Sequence, residues 1–448
     1  MKKLLYFLII FLISSIVLFL PITDLSRGEI TTIFIFVLAS LLWISEVIPL
    51  YITSFVILIL EAFLLPHFMK GISAREFFYP FFSPVIVLFL GGFTISKGLH
   101  KFNIDKAITL KVISYVKGRP KLLIFSFMAI TAFLSMWMSN TAATALMVGV
   151  ILPVLERVKD KNYNIALLLA IAFGANIGGM GTPVGTPPNA IAIGILSEKG
   201  ISIPFLEWMK NALPVSILLF LLTFLFLILL FPFSIEKIPL GESIESEIKK
   251  IEKKFSSHKM AVVVISIITV VLWLLSEWIK VSSSIVAILP IIAFFGFGIL
   301  NLDDFSSLGW DILILMGGGL SLSHALEVTG VSEWIVKTMG LHNVSEIYVL
   351  MGFMAITILL TNFISNTTTA ALILPLAVSV FKNPIVAGYV VAISASISML
   401  LPVSTPPNAI VYSTRKIPLW SMIKAGIVVI IVSSIIVFFA IHTFLKIT

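Results

Sequence analysis

Apolar residues recur along the chain in long blocks divided by short polar breaks. The blocks fall at 4–20, 30–48, 50–66, 81–99, 121–138, 141–155, 164–196, 212–232, 260–279, 283–300, 310–326, 347–364, 367–381, 385–412 and 420–445. A hydrocarbon layer about 30 Å thick is crossed by about 20 apolar residues in a helix. The backbone there must satisfy its own hydrogen bonds, which blocks of this length do as α-helices. The pattern predicts an all-α polytopic membrane protein. Two more polar stretches, 103–118 and 331–340, are amphipathic and are expected to lie along the membrane surface as interfacial helices. The first block follows Lys2 and Lys3 and is succeeded by Pro21 and Asp24, not by a small-residue cleavage site. It reads as a retained N-terminal helix within 1–29. The long hydrophilic stretch 234–259 reads as a solvated linker between two halves.

The halves repeat each other. Trp43-Ile-Ser-Glu46 is echoed by Trp273-Leu-Leu-Ser-Glu277, and VIVLFLGGFTISKGL by ILILMGGGLSLSHAL. MSNTAATALMVGVILPV around Ser139 returns as ISNTTTAALILPLAVSV around Ser365. GTPVGTPPNAIAIG around Pro187 returns as LLPVSTPPNAIVYS around Pro406. Four pairs in the same order and at nearly the same offset mark a duplication, with repeats at 30–233 and 260–448.

Loop charges decide how the blocks cross. Both flanks of 121–157 are basic, with Lys117, Arg119 and Lys121 before it and Arg157, Lys159 and Lys161 after it. By the positive-inside tendency both flanks lie in the cytoplasm. The segment is therefore expected to be a re-entrant hairpin with its tip at 139–141. By repetition 347–381 is a second hairpin with its tip at 365–367. Counting hairpins as zero crossings leaves about eleven spans, with the N-terminus cytoplasmic and the C-terminus outside. That arrangement puts 21 of the 30 Lys and Arg on the cytoplasmic side. An odd number of crossings separates the Trp43 and Trp273 helices, so the halves are inverted repeats, the plan of secondary transporters.

Composition agrees. Hydrophobic residues make up 59% and charged residues only 12%, about half the ~25% of a soluble domain. Mean hydropathy is +1.13. The net charge of +8 resides in the breaks, so it argues for membrane orientation and against a nucleic-acid partner. The chain has no cysteine, and its six His lack ligand spacing. Disulfides and thiolate metal sites are excluded, and no organic cofactor or enzyme activity is indicated.

Irregular backbone at membrane depth is tolerated only in protein-lined or wet surroundings. Each half has two such points. A hairpin tip exposes backbone groups, which Ser, Asn and Thr supplement with neutral oxygens and an amide donor. In Thr186-Pro187-Pro188-Asn189 and Thr405-Pro406-Pro407-Asn408, two prolines remove donors and break the helix. Half-helix C-termini then offer carbonyls to a cation, and N-termini offer amides to an anion. Ser135 and Thr361 each lie four residues before a tip serine, adding a hydroxyl one turn away. No ionisable residue lies within the tripeptides or breaks. Proton coupling normally needs one, so sodium is favoured as the coupling ion. Glu46 and Glu277 are intramembrane carboxylates read as structural or interfacial, Asp311 as a helix N-terminal residue, and the glycines at 91–92 and 317–319 as positions for close packing or bending.

With these motifs the chain resembles the divalent anion/sodium symporter family, from Trp43 to the last helix. The resemblance implies a homodimer whose scaffold parts (30–100 and 260–326) hold mobile transport parts (121–232 and 347–448) that work as an elevator. It implies a first sodium site of Ser135, Ser139, Asn140 and the Gly185 carbonyl. A second would use Thr361, Ser365, Asn366 and the Ser404 carbonyl. Substrate carboxylates would meet Asn140, Thr141, Ser365, Asn366, Thr367, Thr186, Pro187, Thr405 and Pro406. The expectation is a plasma-membrane, sodium-coupled importer of C4-dicarboxylates such as succinate, malate or fumarate. Sulfate or other oxyanion symport and sodium-independent dicarboxylate exchange stay open.

Overall fold

The computed structural model describes residues 2–21, 24–116, 118–238, 256–338 and 344–447, the last six by backbone alone. Most of the expected linker 234–259 lies outside the described residues, as do positions 117, 339 and 340 of the amphipathic stretches. The described residues form helices and no strands, as the apolar blocks predict.

Nine helices among the described residues are long and apolar enough to cross a membrane. They are Lys2–Phe19, Arg27–Ser45, Leu50–Phe68, Ala74–Lys101, Lys161–Gly179, Phe205–Leu230, Ser257–Leu275, Trp310–Val328 and Leu419–Ile441. The two further blocks expected to cross are interrupted. One divides at Ala287 into Ser283–Val286 and Ile288–Gly296. The other divides into Pro384–Ala395 and Pro406–Ser413. Large apolar side chains cover the outer surface, among them Phe82 at 85% and Phe63 at 76% exposure. Such a surface suits lipid contact and would associate in water.

Both tripeptides sit where one short helix turns into the next. Pro120–Ser135 is joined to Asn140–Leu155, and Glu346–Thr361 to Asn366–Val380, each pair packing together as a hairpin. An arm of 16 residues spans about 24 Å, less than the ~30 Å of a hydrocarbon core. The serine makes each turn. Ser139 Oγ accepts from the Ala142 amide at 3.2 Å, and Ser365 Oγ from the Thr368 amide at 3.1 Å, so each caps the second arm.

Matching sequence pairs make matching contacts elsewhere. The buried Trp43 indole donates to Leu50 O at 3.1 Å, and the buried Trp273 indole to Ser283 O at 2.9 Å. Each ties a helix end to the start of the next helix. The glycine pairs allow close packing. A Cβ on Gly91 would lie 2.5 Å from Ala287 O, and one on Gly318 would collide with Ser54. Asp311 sits in the first turn of Trp310–Val328, where a carboxylate favours the helix dipole. The amphipathic stretches form helices Ile104–Val116 and Val331–Thr338. The first buries Ile104, Thr109, Leu110, Ile113 and Val116 on one side and exposes Lys111.

The centre of the molecule is made of the broken helices and a hairpin arm. Lys161–Gly179, Pro187–Glu198, Asn366–Val380 and Pro384–Ala395 are buried along most of their length. Small residues at these positions let the backbones approach.

Candidate functional site

The broken helices stop well before their prolines. The first ends at Gly179 and the second at Ala395, and both chains then run irregularly to Thr186 and Thr405. The paired prolines occupy the first helical positions of the following segments. There they begin helices instead of ending them, since their fixed φ suits the first turn. Asparagine holds each break together. Asn189 Nδ2 donates to Gly179 O at 3.0 Å and Thr182 O at 2.7 Å. Asn408 Nδ2 donates to the equivalent Ser398 O at 3.1 Å and Leu401 O at 3.0 Å.

This changes the source of positive potential expected from the sequence. Pro187, Pro188, Pro406 and Pro407 have no amide hydrogens. The amides of Asn189 and Asn408 are already bonded, to Thr186 O at 3.2 Å and Thr405 Oγ1 at 3.3 Å. The TPPN segments therefore contribute shape and dipole but few donors. The hairpin arms do better. Their first two amides, of Asn140 and Thr141 and of Asn366 and Thr367, are those a helix leaves without internal partners. Two helix N-termini then face one space.

That space is a cavity of about 160 Å³. It brings together Ser139, Asn140, Thr141, Gly185, Thr186, Pro187, Ser365, Asn366, Thr367, Ser404, Thr405 and Pro406. Ser135 and Thr361 stand behind the lining, each closing the first arm of its hairpin. Ser135 Oγ hydrogen-bonds Asn140 Oδ1, and Thr361 Oγ1 donates to Asn366 Oδ1 at 2.9 Å. Two clusters of neutral oxygens thus flank the cavity, one in each half. Among the described residues no ionisable side chain lines it. A larger cavity of about 400 Å³, bordered by Pro84, Ser197, Glu277 and Lys280, holds none of the Ser-Asn-Thr or Thr-Pro-Pro-Asn residues.

A family model described as citrate transporter matches residues 40–384 and 270–448. An uncharacterised transporter of Methanocaldococcus jannaschii is 34% identical over 437 residues, covering 95% of each chain. The sodium-dependent dicarboxylate transporter SdcS of Staphylococcus aureus is 30% identical over 438 residues, covering 89% of this chain and 83% of that protein. The chain belongs to the divalent anion/sodium symporter family. These relatives are transporters, not enzymes, and the protein is a multi-pass membrane transporter. Its fold is shared at 14% identity with Neisseria gonorrhoeae MtrF, with a TM-score of 0.55 over 90% of this chain and 94% of that one.

Three residues escape the sequence motifs. Asn176 lines the cavity and donates to Thr405 Oγ1 at 3.3 Å, joining the two halves. Ser398 Oγ donates to Asn366 Oδ1 at 2.6 Å. Glu61 is fully buried on Leu50–Phe68 with Ser321 Oγ as a hydrogen-bond donor, away from the cavity lining. Glu46 and Glu277, by contrast, lie just past helix ends and are exposed. That agrees with their structural or interfacial reading. Among the described residues no group of three His, Cys, Asp or Glu side chains is placed to hold a metal ion.

Proposed function

We propose that the protein is a sodium-coupled importer of C4-dicarboxylates such as succinate, malate or fumarate. The reading rests on one observation. Both Ser-Asn-Thr tips meet in a cavity that has oxygen clusters at its flanks, helix N-termini at its wall and no side-chain charge. A hard cation is satisfied by hydroxyl, amide and backbone oxygens. A carboxylate is satisfied by helix N-terminal amides, with bound sodium supplying full positive charge. The volume lies well below the ~300–1,000 Å³ of drug-sized sites, which favours a small anion. The sodium dependence and dicarboxylate substrate of SdcS support the same reading.

In this reading Ser135, Ser139, Asn140 and Gly185 O hold one sodium ion, and Thr361, Ser365, Asn366 and Ser404 O the other. The substrate carboxylates meet Asn140, Thr141, Ser365, Asn366 and Thr367, with Thr186, Pro187, Thr405 and Pro406 completing the wall. The halves are inverted repeats in the plasma membrane, with the N-terminus cytoplasmic and the C-terminus outside. The transport parts slide as an elevator against scaffold parts that pair as a homodimer.

Radiolabelled uptake into proteoliposomes, with sodium, potassium and pH gradients varied separately, tests the reading. Succinate uptake driven by inward sodium and lost in its absence is expected. Counterflow that persists without sodium identifies an exchanger, and inhibition by sulfate but not succinate identifies an oxyanion carrier.

A further inference from the structure

Gly179 and Ser398 hold equivalent places in the two broken helices. Each lies ten residues before the asparagine of its TPPN motif, and each gives its carbonyl to that asparagine's amide. Their side chains differ, and the difference points into the oxygen clusters. A Cβ on Gly179 would lie 2.7 Å from Asn140 Oδ1 and 3.0 Å from Gly185 O. A side chain there would enter the first cluster. In the second half the chain places one at this position, and Ser398 Oγ reaches Asn366 Oδ1 at 2.6 Å. Thr361 Oγ1 bonds the same Asn366 oxygen and also Ala395 O, at the C-terminal end of its half-helix. Four oxygens from four positions therefore converge: Thr361 Oγ1, Asn366 Oδ1, Ser398 Oγ and Ala395 O.

We propose that Ser398 supplies an additional hydroxyl ligand to the second cation site, making the two sodium sites chemically unequal. The proposal rests on the reading of the hairpin tips as sodium sites. Hydroxyl hydrogens rotate, so Thr361 and Ser398 can turn lone pairs toward a cation while remaining in place. The first site has no counterpart of this ligand, because Gly179 carries no side chain. Ser404, whose carbonyl is the ligand implied by family resemblance, has its own hydroxyl engaged with Asn362 O at 2.8 Å. Its side chain fixes the break, and the Ser396 hydroxyl is given to Ala392 O at 3.3 Å, which leaves Ser398 as the hydroxyl that reaches the cluster. More oxygen ligands give the second site tighter cation binding, so it fills first as sodium rises.

The test is sodium-dependent succinate binding to purified Ser398→Ala, Ser398→Thr and wild-type protein, repeated with lithium replacing sodium. Ser398→Ala is expected to raise the half-saturating sodium concentration about tenfold and to change the sodium-to-lithium preference. Ser398→Thr, which keeps the hydroxyl, is expected to restore both. An alanine variant within twofold of wild type overturns the proposal alone. So does an equal loss for sodium and lithium, which would make Ser398 a support for Asn366. Wild-type binding without sodium dependence overturns the sodium-site reading and this proposal together.

Discussion

Asn176 on the first broken helix donates to Thr405 Oγ1 on the second break, so one amide joins the two halves at the cavity wall. Its other amide atom, Oδ1, is buried and has no partner among the described residues. A buried unpaired acceptor costs about 1–3 kcal/mol, a penalty that a bound cation or a substrate hydroxyl would relieve. The position repeated in the second half is Ala395, so the tie is not duplicated. Asn176→Ala is expected to raise the KM for succinate about tenfold with dispersity unchanged. A KM equal to wild type would remove Asn176 from the site.

Asn140 and Asn366 each serve an oxygen cluster and the cavity at once. Asn140→Ala and Asn366→Ala are each expected to reduce sodium-driven uptake at least tenfold while leaving a monodisperse protein. Losing a charge-assisted contact costs about 1.5–3 kcal/mol, which carries that magnitude. Transport surviving both substitutions would sink the cation and substrate assignments.

Gly179 is fixed by proximity. Its missing Cβ would sit 2.7 Å from Asn140 Oδ1, well inside ordinary contact distance. Gly179→Ala is expected to weaken sodium activation about tenfold or more. A sodium titration superimposing on wild type would show that the first cluster tolerates a side chain and binds no ion there.

Asn189 contributes stability more than recognition. Its Nδ2 serves the Gly179, Met180 and Thr182 carbonyls inside a fully buried break. Asn189→Ala leaves Gly179 O without a donor, while Met180 O keeps the Trp208 indole and Thr182 O the Gly185 amide, at about 1–3 kcal/mol. A lower thermal midpoint in detergent is expected, and Asn408→Ala should behave alike. An unchanged midpoint in both would refute the role of these amides as struts.

Lys199 follows the first TPPN half-helix and pairs at 3.0 Å with Glu327, near the end of Trp310–Val328. The proposed elevator movement would separate Lys199, on the first transport part, from Glu327, one residue past the scaffold part 260–326. Because the chain has no cysteine, Lys199→Cys with Glu327→Cys creates a clean crosslinking pair. A short thiol crosslinker is expected to stop transport and spare sodium-dependent substrate binding. Normal uptake by fully crosslinked protein would exclude relative motion at this contact.

The fold and much of the site were legible because the sequence says its important things twice. Apolar block length gave the helices, and the duplicated tripeptides led to one cavity. What escaped was whatever the halves do not share. Ser398 faces Gly179 and Asn176 faces Ala395 in the repeat, so neither stands out as a repeated motif. The role of the prolines was hidden for another reason. Both sequence and structure have a break at TPPN, but only backbone geometry shows that Pro187 and Pro406 open helices that ended much earlier on the other side. Glu61 was missed because its hydrogen-bond partner, Ser321, lies far along the chain.

A cavity wall without ionisable side chains also sets how membrane voltage acts on such a carrier. Moving one elementary charge through 100 mV is worth about 2.3 kcal/mol. In the proposed transport cycle an empty site carries no such charge on its return journey, so the site itself feels little of the field in that step. The loaded journey is electrically silent when two sodium ions accompany a dianion and generates current when a third ion joins or a proton neutralises one carboxylate. Current per molecule transported therefore counts the cargo directly, with no correction for charges belonging to the site.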